Sequence, residues 1–352
     1  MVRRILHISD CDKFIPPYIK FIKENFESDF ENHNFLVTSG MAVNTLPNYS
    51  NIYLIPKSKV GKIKHYFHIV YEMNRSDKII IHNLFNFKNV VLLFFMPWTL
   101  KKAYWIMWGA DLYTYKLGTH DFKWRFREFF RKRVIKNFGY FSTTVPGDFE
   151  LVKDWYKSKS VFIQNLMYPS HLYRDLIPTQ SKDKSEVYIQ VGNSADPTNN
   201  HHEVLTYISG LELDDYKVFC PLSYGSPSHR ESVIQYGKDL LGDKFIPITN
   251  YMDFSEYNKY MSSIDIAIFN HDRQQAMGNM IGLLSLGKKV VLKRTTTPYN
   301  FFKSLGLKVY SLDDKDVMAL LTKDDKVRNI GIMRHHFSPE RLKSDWEKVF
   351  YG

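Results

Sequence analysis

The sequence predicts an α/β protein built from two doubly wound domains with parallel sheets, and three observations carry that expectation. Short apolar runs alternate with helical patterns along the chain, which is the order of repeated βαβ units with helices on both sheet faces. The alternation lapses once, in "YPSHLYRDLIPTQSKDKS" between Tyr168 and Ser185, and then starts again. The 352 residues exceed what one compact core usually holds, so two domains of roughly 150 residues each follow. The expected layout is a first domain over 1–168, a linker over 169–185, a second domain over 186–337 and a terminal helix over 338–352.

In the first domain the strands are "RILHIS", "NFLVTSG", "NIYLIP", "KIIIHN", "AYWIMWG" and "GYFSTTV". Helical patterns lie between them, from Tyr18 to Phe26, Val60 to Asn74, Phe87 to Phe95 and Phe122 to Asn137. The lapse that follows carries two prolines and a charged, Ser-rich end, the composition of a connecting segment. The second domain continues with "VYIQVG", "YKVFCPL", "KFIPIT", "IDIAIF" and "KKVVL" as strands. Its helices run through "NHHEVLTYISGL", "HRESVIQYGKDLL", "FSEYNKYMSS" and the stretch before Gly287. In the last segment, "SPERLKSDWEKVF", Ser338 is placed to cap a helix and Pro339 to open it. Two such domains imply a cleft, and ligands of these sheets bind beyond the carboxyl ends of the strands.

Composition narrows the partners. A net charge of +11 suits an anionic partner: nucleic acid, a phosphorylated substrate or an acidic membrane. Compositional bias toward Lys, Asn, Phe and Tyr accounts equally well for the lysines, but not for local clusters of arginine. Two cysteines, Cys11 and Cys220, exclude a disulfide framework and fit a reducing compartment. The pairs His201-His202 and His335-His336 are adjacent rather than spaced as zinc ligands, so no metal site is expected. "MVRRILHISD" reads as a first strand rather than a signal peptide. "VVLLFFMPWTL" is too short to span a bilayer and contains Pro97. The expected location is cytoplasmic, at most lying on a membrane.

Two strand ends in the second domain gather small and polar residues. In "VYIQVGNSADPTNNHHEV" the turn Gly192-Asn193-Ser194 follows a strand directly, and a helix follows Asn199. Gly192 permits the close backbone approach a diphosphate needs, and amides at a helix start attract its charge. An ordinary β-to-α turn has the same composition, and the stretch is neither a Walker loop nor a dinucleotide fingerprint. In "FNHDRQQAMGNMIGLLSLGKKVVL", Phe269 to Leu292, a strand ends in polar residues before helical spacing resumes. Arg273 can grip phosphate bidentately, Gln274 and Gln275 suit sugar or ribose hydroxyls, and Gly278 keeps the helix start open. An arginine beside the positive end of a helix is unfavourable alone, so a ligand is expected there.

The first domain offers a carboxylate and a basic helix. "IMWGADLYTY" ends a strand in Trp108-Gly109-Ala110-Asp111, where a general base or hydroxyl-binding group would sit. Asp10 and Asp12, after the first strand, compete for that role. "HDFKWRFREFFRKRVIKNF" gathers Phe122, Phe126, Phe129, Phe130 and Val134 on one side of a helical wheel. Between Lys123 and Lys136 it sets seven basic residues against the single acid Glu128. Beside "LLFFMPWTLKKAYW" this reads as a membrane-surface element on anionic lipid, with Trp124, Arg127, Arg131 and Arg133 facing outward. The plainer alternative has the phenylalanines covering the sheet and the arginines merely solvated.

"WGADLY", "VGNSADPTNNH" and "RQQAMG" before "LSLGKKVVL", in order over most of the chain, resemble the bacterial TDP-N-acetylfucosamine:lipid II N-acetylfucosaminyltransferases, glycosyltransferase family 56. The resemblance is carried by Trp108, Gly109, Ala110, Asp111 and Tyr113; by Gly192, Asn193, Ser194, Asp196, Asn199 and His201; and by Arg273, Gln274, Gln275 and Gly278. It implies a GT-B fold, two Rossmann-like domains facing across a cleft, with no cofactor and no metal. It also implies a nucleotide-sugar donor held in the second domain by Gly192, Asn193, Ser194, Asn199, Arg273, Gln274, Gln275, Gly278 and Arg294. The implied acceptor is a polyprenyl-diphosphate-linked saccharide at the inner membrane. "KRTTTPYNF" departs from the family pattern by an extra Thr, at the donor-sugar pocket.

The expected enzyme is therefore a peripheral glycosyltransferase on the cytoplasmic face of the bacterial inner membrane. It moves a deoxyamino sugar, such as 4-acetamido-4,6-dideoxygalactose, from a dTDP-sugar to a lipid-linked saccharide in surface polysaccharide assembly, for O-antigen or enterobacterial common antigen. A fucosyl- or hexosyltransferase using a GDP- or UDP-sugar is the enzymic alternative. A nucleic-acid-binding protein is the alternative of another class. No basic-aromatic RNA motif or helix-turn-helix pattern appears, so nucleic acid is not an expected partner.

Overall fold

The computed structural model describes residues 3–38, 40, 42–173, 186–213 and 215–352. It divides into two compact units, Met1–Ser170 with Pro339–Gly352, and His171–Ser338.

The first unit is built on seven parallel strands: β1 (Ile5–Asp10), β2 (His33–Thr38), β3 (Ile52–Leu54), β4 (Lys78–His82), β5 (Ala103–Ile106), β6 (Tyr140–Thr143) and β7 (Val161–Gln164). Their order is β3-β2-β1-β4-β5-β6-β7. Ile79, Ile80 and Ile81 of β4 are all fully buried, which is why the central strands read as unbroken apolar runs. The connecting helices are α1 (Ile15–Asn25), α2 (Lys59–Arg75), α3 (Phe87–Phe95), α4 (Ala110–Leu117), α5 (Phe122–Asn137) and α6 (Pro146–Tyr156). Their starts are written in the sequence. The side chains of Ser58, Asn86 and Asp121 accept from the amides of Gly61, Lys88 and Trp124, and Pro146 opens α6. β7, α4 and α6 are additions to the elements expected.

Inside this unit runs a chain of hydrogen bonds through buried histidines, joined at His7 by the Tyr18 hydroxyl at 3.4 Å. Trp108 Nε1 lies 2.7 Å from the Tyr168 hydroxyl, which lies 2.6 Å from His82 Nδ1. His82 Nε2 is 3.3 Å from His7 Nδ1, and His7 Nε2 is 2.9 Å from His33 Nδ1. The indole can only donate, so Trp108 donates to Tyr168. Beyond the hydroxyl the direction follows the histidine tautomers, and each ring-to-ring contact holds one proton between two nitrogens, as neutral rings do. Burial lowers His82 to about 3 and His33 to about 4, and holds His7 well below its ordinary value.

The second unit holds β8 (Val187–Val191), β9 (Tyr216–Pro221), β10 (Phe245–Ile248), β11 (Ile266–Phe269) and β12 (Lys289–Leu292). All pair in parallel, in the order β10-β9-β8-β11-β12. The helices are α7 (His201–Ser209), α8 (Pro227–Leu241), α9 (Phe254–Ser263), α10 (Met277–Ser285), α11 (Thr297–Ser304) and α12 (Lys323–His336). The last two were not among the expected elements.

Two expected boundaries change. Of the linker assigned to 169–185, residues 174–185 lie outside the described residues, and Pro169–His171 forms a 3-10 turn. The terminal segment does form a helix from Pro339, α13 (Pro339–Tyr351), but it is part of the first unit rather than a separate appendage. Trp346, Val349 and Phe350 are fully buried there. Trp346 Nε1 donates to the Met167 carbonyl at 2.9 Å, and Lys78 Nζ donates to the Val349 carbonyl at 2.6 Å.

Candidate active site

Each sheet has one place where its strand order reverses, and the loops there leave adjacent strands in opposite directions, opening a crevice for ligands. In the second unit that place is between β8 and β11; in the first it is between β1 and β4.

At the β8–β11 reversal three loops are tied together. Gly192 takes φ +68°, and a Cβ on it would stand 2.6 Å from His201 Nε2 and 2.7 Å from Asn199 Oδ1, so only glycine fits. Gln275 Nε2 donates to Asn193 Oδ1 at 2.9 Å, joining the β11 loop to the β8 loop. Asn193 Nδ2 donates to the Tyr224 hydroxyl at 2.8 Å, which joins the β9 loop. His271 Nε2 donates to Asn199 Oδ1 at 3.0 Å. Burial holds His271 down to about 3 and His201 likewise to about 3, so both are neutral. Gly192, Asn193, Ser194, Asn199 and Gln275 thus come together, while Gln274 is buried next to Gln275 in the chain with its Oε1 unpartnered among the described residues. Tyr224 and His271 join the cluster; the "SYGSP" turn and the second polar residue after "IAIF" were the available signals.

Two details differ from the expectation. Three of the amides after β8 are not free for a diphosphate. Gly192 N donates to the Ile268 carbonyl, Asn193 N to Asn199 Oδ1 and Ala195 N to the Tyr224 carbonyl. Nor is Arg273 unpartnered, since its Nη2 lies 3.1 Å from Asp196 Oδ2. This ion pair offsets the unfavourable position beside a helix start, so that position alone does not require a ligand. Burial raises the Asp196 carboxyl, but bonds from Thr198 and Arg273 outweigh it and hold it below its usual range. The open donors are at α10 instead. That helix has no side-chain cap and no acid in its first turn. Among the described residues, none accepts from the amides of Met277 or Gly278. Arg294 is not brought to the cluster; it is half exposed and held by Asp313 and Asp314.

Asp111, expected to be a solvent-facing base, is fully buried. Its Oδ2 accepts from Leu84 N at 3.2 Å and Trp105 Nε1 at 2.9 Å, and its Oδ1 from Trp108 N at 3.0 Å and Leu112 N at 3.2 Å. Four donors fill its lone pairs and clamp the β4 and β5 loops together, leaving no face for a substrate proton. Burial raises its pKa, against the pull of Trp105 and Arg131. Asp10 is placed differently. It ends β1 at the reversal itself and is only half-buried. It accepts from the Thr38 hydroxyl, and from Asn86 Nδ2 across the reversal at 3.3 Å. Asp12, also half-buried, follows in the loop. Asn86 was missed; its position before "FKNVVLLFF" marks a helix cap.

The basic helix α5 is also rearranged. Arg131 is buried rather than outward, with Nη1 donating to the Leu84 carbonyl at 2.9 Å and Nε 3.2 Å from Glu128. Trp124 is half-buried, its Nε1 donating to the Thr114 carbonyl at 2.8 Å. The outward residues are Phe122, Phe126 and Phe129, 83%, 53% and 64% exposed, with Arg127 and Arg133. Phe94 lies tilted 6.0 Å from Phe129, ring centre to ring centre, and carries the aromatic surface on to Phe95, itself 67% exposed. No helix among the described residues is long and apolar enough to cross a membrane.

Comparison with known proteins agrees with this architecture. Residues 5–350 match the family described as 4-alpha-L-fucosyltransferase glycosyl transferase group 56. Among solved structures, the chain is similar to WaaG, a glycosyltransferase involved in lipopolysaccharide biosynthesis (TM-score 0.62, 12% identity, 98% of each chain). It is similar to a glycosyltransferase from Rickettsia africae (TM-score 0.65, 12% identity, 98% of this chain and 97% of that one). A third is Anabaena HepE in complex with UDP and glucose (TM-score 0.67, 9% identity, 98% of this chain and 99% of that one). The fold is GT-B, two Rossmann-like units with parallel sheets.

Proposed function

The chain belongs to glycosyltransferase group 56, and from that premise we propose that it moves a deoxyamino hexose from a dTDP-sugar to a lipid-linked saccharide during bacterial surface polysaccharide assembly. The observation that carries the donor assignment is the three-loop knot beside the uncapped start of α10. The α10 amides receive the leaving diphosphate, and Arg273 turns from Asp196 to reach it. Charge that develops on the diphosphate as its bond to the sugar breaks is met by groups already in place. Gln274 and Gln275 hold hydroxyls of the nucleotide or sugar.

On the acceptor side, Asp10 takes the proton of the attacking hydroxyl while that oxygen bonds to the anomeric carbon. Asp12 stands next in line, and Asp111 sets the loop that carries Trp108. The enzyme works at the cytoplasmic face of the inner membrane. Phe122, Phe126 and Phe129 enter the headgroup region there, and Arg127 and Arg133 meet anionic lipid.

The description of the family as a 4-alpha-L-fucosyltransferase favours a second donor reading, fucose carried on GDP or UDP. A hydrolysis and binding screen over dTDP-, UDP- and GDP-sugars separates the two. Turnover of a dTDP-deoxyamino sugar is the expected result; turnover confined to GDP-fucose rejects the first reading, and no nucleotide binding rejects both.

A further inference from the structure

Beyond the carboxyl ends of β1, β2 and β3 a cavity of about 320 Å³ is lined by Asp10, Tyr66 and Asn86 together with Lys57, Lys62 and Lys88. Three ammonium groups there share the lining with one carboxylate. Asp10 takes its bonds from Thr38 and Asn86, and among the described residues none of the three lysines forms an ion pair. Lys88 Nζ lies 5.4 Å from the centre of the Tyr66 ring.

The positions of the lysines add a second observation. Lys62 lies in the first turn of α2 and Lys88 in that of α3, and neither helix has an acidic residue in its first turn. Helix starts carry positive partial charge, where carboxylates favour the fold and cations oppose it. Two of the three lysines stand where the fold disfavours cations, and all three surround the half-buried carboxylate, which makes the cavity a site for an anion of more than one charge.

We infer that this cavity binds the phosphate or diphosphate group of the acceptor, and so brings the hydroxyl of the attached sugar to Asp10. The inference rests on the reading of Asp10 as the acceptor-side base. Lys57, Lys62 and Lys88 bind and position; they take no part in bond making.

The first test is calorimetric titration of inorganic pyrophosphate into the full chain, with saturating nucleoside diphosphate occupying the donor site. The Lys57→Gln/Lys62→Gln/Lys88→Gln variant should bind at least about tenfold more weakly, as loss of charge-assisted contacts demands. The corresponding triple Lys→Arg variant should keep most of the affinity. Equal binding by the parent and the Gln variant would overturn the assignment. In steady-state transfer the Gln variant should raise KM for a glycosyl diphosphate acceptor, leaving donor hydrolysis unchanged. A KM rise shared with the dephosphorylated acceptor overturns it as well.

A water-soluble glycosyl diphosphate and a polyprenyl one distinguish the two sources of the anion. The same rise with both assigns the phosphate itself, and a rise with the polyprenyl form alone rejects the pocket in favour of a lipid-surface role. If the Gln variant loses pyrophosphate while the parent turns over no nucleotide sugar, the transferase reading fails and the anion pocket stands.

Discussion

Acidification should unfold the first unit by a route that its buried histidine chain makes quantitative. His82 is held at about 3 and His33 at about 4 by burial, against about 6.5 in an unfolded chain. A histidine whose folded pKa is depressed binds its proton better when unfolded. Stability is therefore complete above the unfolded value and falls as pH drops through it, down to the folded value. At pH 5.5 each of the two costs about 1.4 kcal/mol relative to pH 8, together about 3 kcal/mol. His7, lowered in the same direction, adds to that. The loss is a large share of a typical stability of about 5–15 kcal/mol.

The assay has a convenient probe. All six tryptophans, at 98, 105, 108, 124, 155 and 346, lie in the first unit, so indole fluorescence in urea reports that unit alone. The urea midpoint should fall between pH 8 and pH 5.5 at constant slope. His33→Phe, at the end of the chain and packed against Phe350, should shrink the pH dependence by about 1.4 kcal/mol. Identical midpoints at the two pH values would refute the reasoning, and so would imidazole resonances titrating near 6.5 in the folded protein.

Arg273→Ala should weaken nucleoside diphosphate binding about tenfold to a hundredfold, from a charge-assisted contact worth about 1.5–3 kcal/mol. Asp196→Asn, which releases Arg273, should leave calorimetric affinity equal or tighter; unchanged binding in Arg273→Ala removes the residue from the site. Asp10→Asn should cost about 10²–10⁴-fold in kcat with donor Kd unchanged, and full activity would shift the role to Asp12. Asp111→Asn turns an NH2 toward groups that already donate, so Tm should fall, by about 1–3 kcal/mol of stability, and an unaltered Tm would contradict the clamp. Exchanging Phe122, Phe126 and Phe129 for Ser should weaken sedimentation with anionic vesicles. Arg127→Gln/Arg133→Gln should remove about 1 kcal/mol per charge of salt-sensitive affinity. Equal parent binding to neutral and anionic vesicles would dismiss the charge contribution.

Much of the fold was legible because its central strands are buried on both faces and its helices carry local caps. The bounds of α3 and α5 match their expected ranges because Asn86 and Asp121 announce them. α4 has only eight residues and follows its strand after a three-residue gap. α6 opens on Pro-Gly, which reads equally as a turn, and β7 is a half-exposed edge strand whose apolar run is only Val161-Phe162-Ile163. The polar clusters of the donor site stood out in the same way, since each lies at one strand end. What the chain order hides is pairing between distant loops. The buried state of Asp111 depends on Leu84, 27 positions away, and the partner of Arg273 is 77 positions away. Arg131 counts among the basic residues of its helix, yet its guanidinium serves the Leu84 and Asp111 carbonyls. Asp10 meets Asn86 only because β1 and β4 are neighbours in the sheet.

The return of α13 to the first unit fixes an order of events during synthesis. Residues of the second unit are contiguous, and once they have left the ribosome that unit has all of its chain. The first unit, although its sheet is translated earlier, lacks Trp346 and Phe350 until α13 emerges, leaving the carbonyl of Met167 and the ammonium of Lys78 without these partners. The unit whose sheet is translated earlier is thus finished later, and a ribosome stalled after residue 338 would display a second unit with all of its chain and a first unit still open.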